Sequence, residues 1–173
     1  NGSSSEEHHM GPIRVGICGF GTVGSGTFTV LQRNGADIAA RVGRDVRVTH
    51  VGVPRGNLRC ETAGVRTSRD VFAVVRDPEV DIVVELIGGC DAARELVMQA
   101  IAAGKHVVTA NKALLAAHGN EVFAAARKAE RAVCFEAAVA GGVPIIRALG
   151  ESLARLAGAA RVATGDGAAG VVE

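Results

Sequence analysis

Short apolar runs alternate with helical stretches along the chain from Pro12 onward. Runs rich in valine and isoleucine predict strands, at residues 13–18, 46–53, 81–86, 106–110 and 132–139. Apolar positions at helical spacing predict helices, at residues 22–33, 36–42, 68–76, 91–103 and 120–131, and a further one from Pro144. Ser68 and Asp91 are expected to cap two of them. Several strands are apolar at consecutive positions, as strands covered by helices on both faces are. The alternation therefore predicts an α/β fold with a doubly wound parallel sheet in a single domain.

The first predicted strand and helix are joined by the pattern Gly-x-Gly-x-x-Gly at residues 19–24. Its position between a strand and a helix makes an otherwise weak motif informative. Gly19 would allow the tight turn, Gly21 would let a diphosphate approach the backbone, and Gly24 would let the helix pack closely. The N–H groups and the dipole at a helix start attract phosphate. The pattern predicts a dinucleotide site in a Rossmann-type fold, with a tight turn that binds no ligand as the alternative.

The end of the second strand bears on the choice of dinucleotide. Sites that prefer NAD usually carry Asp or Glu there to hold the ribose 2′-hydroxyl. Residues 53–59 contain no acid, but they contain Arg55 and Arg59. A guanidinium at Arg55 would pair with a 2′-phosphate, so NADP is favoured over NAD. Two solvated loop arginines are the alternative.

Composition excludes several other classes of protein. Lys and Arg number 19 against 18 Asp and Glu, and Trp and Tyr are absent. A nucleic-acid partner is therefore not expected, because neither bulk positive charge nor stacking side chains are supplied. No apolar run approaches the roughly 20 residues that cross a bilayer, so no membrane association is expected. The four cysteines form no CxxC pair, which favours a reducing, cytoplasmic setting.

Three further segments carry a family resemblance, with the sequences DIVVELIGG at 81–89, GKHVVTANK at 104–112 and EAAVAGGVPIIR at 136–147. Together with residues 19–26 they resemble homoserine dehydrogenase, and the resemblance covers about residues 13–155. It implies an oxidoreductase that interconverts L-homoserine and L-aspartate 4-semialdehyde with NAD(P), in the biosynthesis of threonine, methionine and isoleucine. Its partner would be this small-molecule substrate.

The resemblance also implies roles for individual residues. Besides the three glycines, the residues expected to contact the cofactor are Phe20, Thr22, Val23, Ile87, Gly88, Thr109 and Lys112. Lys112 is the candidate catalytic residue, because an ammonium there would orient the cofactor, polarise the reacting carbonyl or move a proton. An ordinary surface lysine is the alternative. Lys105, at the other end of the strand, is expected to be a solvated turn residue. Glu85 lies in an apolar strand, so its charge needs a partner or a solvated position, and it is not expected to be catalytic.

A sodium site is implied by the segment that follows residue 135. In the similar family this segment surrounds a monovalent cation mainly through backbone carbonyls, here those of Glu136, Val139, Gly141 and Val143. Carbonyl oxygens suit an alkali ion, and the Gly-Gly pair would free the backbone to turn them inward. The alternative is a Gly-Gly turn before a helix, with no ion.

The resemblance stops near residue 160. We expect residues 1–10, with their Ser-rich and His-His pattern, to be tag-like, residues 11–160 to form the dinucleotide-binding domain, and residues 161–173 to be an irregular, truncated start of a substrate domain. Such a chain would bind the cofactor but turn over homoserine poorly or not at all. Whether it forms a homo-oligomer stays open. A non-catalytic dinucleotide sensor and another small-carbonyl dehydrogenase are the alternative functions.

Overall fold

Six parallel strands form one sheet in the computed structural model, which describes residues 11–54, 62 and 64–135. The strands are β1 (Ile13–Cys18), β2 (Val46–Gly52), β3 (Arg66–Ser68), β4 (Ile82–Glu85), β5 (His106–Thr109) and β6 (Val133–Phe135). Their order across the sheet is β3-β2-β1-β4-β5-β6. The chain adds strands outward in one direction from β1 to β3 and then returns to β1 to add β4. That reversal leaves a crevice between β1 and β4 at their carboxyl ends, where ligands bind in this class of fold.

Helices cover both faces of the sheet. Within the described residues they are α1 (Thr22–Arg33), α2 (Gly35–Val42), α3 (Val71–Arg76), α4 (Asp91–Ala102) and α5 (Lys112–Lys128). One apolar cluster joins α1 and α2 to the sheet, and a second joins α3, α4 and α5 to its opposite face. Neighbouring residues of β4 alternate between them, since Ile82 and Val84 belong to the first cluster and Val83 to the second. The predicted doubly wound sheet is confirmed.

Several boundaries differ from the sequence prediction. Asp70, not Ser68, caps α3 by accepting a hydrogen bond from the Phe72 N–H, and Cys90 precedes α4, so that Asp91 is its first residue. Helix α5 begins at Lys112, eight residues before the predicted start at residue 120. Strand β3 has the sequence Arg-Thr-Ser and gives no apolar signal. The rest of the predicted strand 132–139 after Phe135, and the helix predicted from Pro144, lie outside the described residues.

Lys105 is buried, which contradicts its prediction as a solvated turn residue. The residue is only 6% exposed, and its Nζ donates to the carbonyl oxygens of Asp77 and Val80 at 2.7 and 2.6 Å. These carbonyls lie in the connection between α3 and β4. The ammonium therefore binds the connection between α3 and β4 at the amino ends of the strands. Burial lowers the pKa of Lys105.

Strand β3 is held to β2 by a buried polar network around Asp77. His50 Nδ1 lies 2.7 Å from Asp77 Oδ2, and Nε2 lies 2.7 Å from the Ser68 hydroxyl. Arg66 donates to the same carboxylate at 2.9 Å, and the Glu79 N–H donates to Oδ1 at 2.9 Å. Because the carboxylate can only accept, Nδ1 of His50 donates to it, and Nε2 shares a hydrogen bond with the Ser68 hydroxyl. The network fixes the edge strand β3 to β2 and to the connection between α3 and β4.

Asp77 predicts a specific acid sensitivity. Burial acts to raise the pKa of Asp77, but the Glu79 N–H, His50 and Arg66 outweigh it, so the pKa lies below its usual range. A carboxyl with a depressed folded-state pKa stabilises the fold above the unfolded value of about 3.9, and the contribution disappears as pH falls through the folded pKa. We expect Asp77→Asn to lose about 1–3 kcal/mol of unfolding free energy at neutral pH. The difference from wild type should shrink on acidification. Urea titrations across this pH range measure it.

The exposed Asp37→Asn variant on α2 is the control, because its side chain is exposed and outside this network. Its stability should stay within about 1 kcal/mol of the wild-type curve, which is what a carboxylate in the first turn of α2 gains from the helix dipole. A difference between wild type and Asp77→Asn that stays constant from neutral pH to about pH 3 would contradict the assignment.

Candidate functional site

The turn after β1 is set by two glycines that the fold itself requires. Gly19 has a φ of +100°, and a Cβ there would lie 2.5 Å from the carbonyl oxygen of Leu86. A Cβ on Gly24 would lie 2.0 Å from the carbonyl oxygen of Gly19. The first turn of α1 and the loop after β4 therefore both approach the Gly19 turn more closely than any side chain would allow.

Gly21 differs from both, because nothing in the described structure requires it to be glycine. Its φ is −75°, and a Cβ there would meet no atom within 4 Å. It stands immediately before α1, whose start has no capping side-chain hydrogen bond and no acidic residue in the first turn. Among the described residues, none occupies the space beside Gly21 at the positive end of α1, so a diphosphate could approach there without displacing their atoms.

The side chain of Phe20 lies in the core rather than in this space. It is 4% exposed and packs edge-to-face on Phe28, with ring centroids 5.7 Å apart. The contribution that the resemblance assigns to Phe20 must therefore come from its backbone. Thr22, the first residue of α1, is exposed.

A hollow of about 420 Å³ continues from the turn along the carboxyl ends of β4 and β5. It is lined by residues of α1, of the loop after β4 and of the turn before α5, namely Val23, Glu85, Leu86, Gly88, Ala110, Asn111 and Lys112. Val23 is 44% exposed although it is apolar, and Gly88 has a φ of +73°. The structure thus brings together three of the predicted site residues, Val23, Gly88 and Lys112, and leaves an apolar side chain at the rim for a ligand to cover.

Two other predicted contacts turn away from the hollow. Ile87 packs against the apolar cluster beneath α3, α4 and α5. Thr109 is fully buried, where its hydroxyl donates to Glu85 Oε2 at 2.6 Å and accepts from the Asn111 N–H at 3.1 Å. Thr109 therefore positions the turn before Lys112 and does not line the space that a cofactor would occupy.

Glu85 is a residue of the hollow that sequence reasoning left aside. It is 1% exposed, yet it lines the hollow, and its Oε1 accepts from the Ile87 N–H at 2.9 Å. Burial raises the pKa of Glu85, whereas the Thr109 hydroxyl and the N–H groups of Ile87 and Gly88 oppose the rise. A glutamate in an otherwise apolar strand was the available signal, and the predicted need for a partner is met by these donors.

The turn before α5 is fixed by Asn111. Its Oδ1 accepts from the Leu114 N–H at 3.0 Å and caps α5, while its amide group donates to the Gly89 carbonyl. The loop after β4 and the turn before α5 are thus linked directly. Lys112, the first residue of α5, is exposed and is held at the rim of the hollow by this cap.

Other predicted site residues lie outside the described residues, namely Arg55 and the predicted sodium ligands Glu136, Val139, Gly141 and Val143. Among the residues described, no group of three or more His, Cys, Asp or Glu side chains is arranged to hold a metal ion. Within the same part of the chain, no helix has the length and hydropathy needed to cross a membrane.

A larger hollow, of about 570 Å³, lies at the opposite edge of the sheet. Its lining includes Arg14, Asp81, Lys105 and His106, at the amino ends of the strands. Arg14 is bound by Asp81 through two side-chain hydrogen bonds of 3.0 and 3.1 Å, and His106 Nδ1 accepts from the Ala132 N–H. Because parallel sheets of this kind bind ligands at the carboxyl ends of their strands, the smaller hollow is the candidate functional site.

Comparison with known proteins gives a consistent result. A family model described as "Homoserine dehydrogenase, NAD binding domain" matches residues 19–136, which include every described residue of the site. The homoserine dehydrogenase of Pseudomonas aeruginosa is 56% identical over 144 residues, covering 83% of this chain and 33% of that protein. That of Neisseria gonorrhoeae is 47% identical over 148 residues, covering 84% and 34%.

Solved structures agree with the sequence relatives. The crystal structure of a homoserine dehydrogenase from Thiobacillus denitrificans is 60% identical, with a TM-score of 0.68, and the match covers 80% of this chain and 32% of that chain. The chain spans about a third of the length of the curated relatives it matches.

The two glycines of α1 give a matched stability prediction. Gly24→Ala places a methyl group 2.0 Å from the Gly19 carbonyl oxygen, whereas Gly26→Ala enters open space. We expect Gly24→Ala to lower the unfolding free energy by about 1–3 kcal/mol or more, because backbone must move. Gly26→Ala should raise it by up to about 1 kcal/mol through helix propensity. Urea unfolding of both variants measures the difference, and equal stabilities would contradict the described packing of α1.

Proposed function

The chain belongs to the homoserine dehydrogenase family through its NAD-binding domain, and on that premise we propose that it holds the cofactor with which L-homoserine and L-aspartate 4-semialdehyde are interconverted. The observation that carries the proposal is Gly21. A glycine that neither its φ nor its neighbours require, placed before an uncapped helix start, is explained by a ligand that comes close to the backbone. A turn that binds nothing would tolerate a side chain there.

The residues around the crevice divide the work of binding. The backbone N–H groups at the start of α1 would hold the diphosphate, and Val23 would cover part of the cofactor from the rim. When bound, the nicotinamide supplies the hydride chemistry of the reaction. Lys112 faces the same hollow, where its ammonium would orient the cofactor and polarise or protonate the reacting oxygen of the substrate. Hydrogen bonds that join Glu85, Thr109 and Asn111 hold the loop after β4 and the turn before α5 together beside Lys112.

Finer properties of the site are proposed on sequence grounds. NADP is favoured over NAD because Arg55 follows β2 where an NAD site would carry an acid. The backbone carbonyls of Glu136, Val139, Gly141 and Val143 would bind a sodium ion. The numbers of basic and acidic residues are nearly equal, and the cysteines form no CxxC pair. These features fit a cytoplasmic protein that has a small-molecule substrate and neither nucleic-acid nor membrane partners.

Calorimetry with Gly21→Asp tests the proposed binding. We expect the wild-type chain to bind NADP+ and NAD+ at one site, with NADP+ the tighter. Gly21→Asp should weaken both by at least about 100-fold, because a carboxylate would enter the diphosphate position. The fold should survive, since a Cβ on Gly21 meets no atom within 4 Å.

Gly26→Asp is the matched control, because it adds the same charge to α1 at another open position. It should bind within a few-fold of wild type. Wild-type binding of neither dinucleotide, or equal binding by wild type and Gly21→Asp, would defeat the proposal. Tighter binding of NAD+ than of NADP+ would defeat only the NADP preference.

Turnover by these 173 residues should be very low. They match about a third of the length of the curated relatives, so we propose that the groups that hold homoserine come largely from the remaining two thirds. With homoserine and NADP+ in excess, we expect no reduced cofactor above the rate without protein, measured by its absorbance. Binding and turnover are thus separated. Turnover at a rate typical of complete enzymes, about 1 s⁻¹ or more, would contradict this assignment.

A further inference from the structure

Glu85 places a buried carboxylate at the wall of the cofactor hollow. The residue is 1% exposed, at the carboxyl end of β4, and shares the lining of the hollow with Gly88 and Lys112. A charge in this position acts through protein rather than through water, so its field reaches a ligand in the hollow with little screening.

The hydrogen bonds around Glu85 stabilise the ionised form of its carboxyl group. Three donors converge on it, namely the Thr109 hydroxyl and the N–H groups of Ile87 and Gly88. The Thr109 hydroxyl donates to Glu85 Oε2 at 2.6 Å while it accepts from the Asn111 N–H. Donors of this kind favour the charged form against the cost of burial.

No lysine, arginine or histidine forms an ion pair with Glu85 within the described part of the chain. The other buried carboxylate, Asp77, contrasts with it, because Asp77 is paired with His50 and Arg66. Among the described residues, the negative charge of Glu85 is therefore compensated by neutral donors, and it remains available to a ligand.

We propose that Glu85 makes the site discriminate between the two redox states of the nicotinamide cofactor, favouring the oxidised form. The oxidised ring carries a positive charge and the reduced ring is neutral, while the rest of the dinucleotide is the same in both. Contacts to the diphosphate and the adenosine therefore cancel in the ratio of the two affinities, and a buried negative charge beside the ring does not. The inference rests on the proposed cofactor binding and names the residue that gives it redox selectivity.

Lys112 acts in the opposite sense. It lines the same hollow and carries a positive charge, which disfavours the oxidised ring. The two residues thus allow the sign of the charge to be tested. Removing either one takes one charged group from the same hollow, but the two removals should shift the selectivity in opposite directions.

The experiment measures the dissociation constants of NADP+ and NADPH for the 173-residue chain and takes their ratio. We expect Glu85→Gln to shift this ratio toward NADPH by about tenfold or more, and Lys112→Met to shift it toward NADP+. Val23→Ala is the structural control, because it alters the wall of the same hollow but leaves both charges and the loops that hold them in place. It should weaken both forms by the same factor and leave the ratio within about threefold of wild type.

Each outcome decides the matter. If wild type binds neither NADP+ nor NADPH, the proposed function fails and the inference fails with it. If wild type binds both and Glu85→Gln leaves the ratio unchanged, only the inference is overturned. A change of ratio in Val23→Ala as large as in Glu85→Gln also overturns it, because a change of packing in the hollow would then suffice. Should Glu85→Gln not fold, Glu85→Met with Thr109→Val removes the charge and its donor together, and the same shift is required of it.

Discussion

The close approach of three backbone segments at Gly19 is the constraint on which the rest of the site depends. The start of α1 lies so close to the Gly19 turn that Gly24 cannot carry a Cβ. The loop after β4 lies so close that Gly19 cannot carry one. That contact places the N–H groups of α1 beside the loop that carries Gly88, across the point where the strand order reverses. A single crevice with a positive helix end on one wall and the β4 loop on the other follows directly from it.

The second wall of the crevice is built on a different principle. The loop after β4 and the turn before α5 have no tight glycine packing between them, and they are held instead by the chain of bonds from Ile87 through Glu85 and Thr109 to Asn111. Burying a carboxylate without a cation costs free energy that an apolar residue would not. At the amino edge, by contrast, Arg14 and Asp81 neutralise each other. The buried carboxylate that no described cation pairs with therefore lies at the carboxyl ends of the strands, where ligands bind in this class of fold.

Local patterns predicted what depends on local sequence. The strands β1, β2, β4 and β5, the helix α1 over its full length and the glycine turn could all be read from apolar periodicity and the Gly-x-Gly-x-x-Gly spacing. Contacts between distant segments could not. Lys105 is buried because its ammonium donates to the carbonyl oxygens of Asp77 and Val80. Phe20 lies in the core because its ring packs on Phe28 of α1. Helix α5 starts before its predicted position because Asn111 caps it. An asparagine next to a strand does not indicate that role from sequence alone.

The glycine motif itself is weaker evidence for a ligand than it first suggests. Gly19 and Gly24 are explained by the fold, since α1 could not pack on the turn without them, and they would be needed even if nothing were bound. Of the three motif glycines, Gly21 in the middle is the one that the described atoms leave unexplained. Evidence for dinucleotide binding in folds of this class therefore lies in the position where a side chain would be tolerated sterically and is nevertheless missing. Here that position directly precedes the uncapped start of α1, where an anion gains most from the helix dipole.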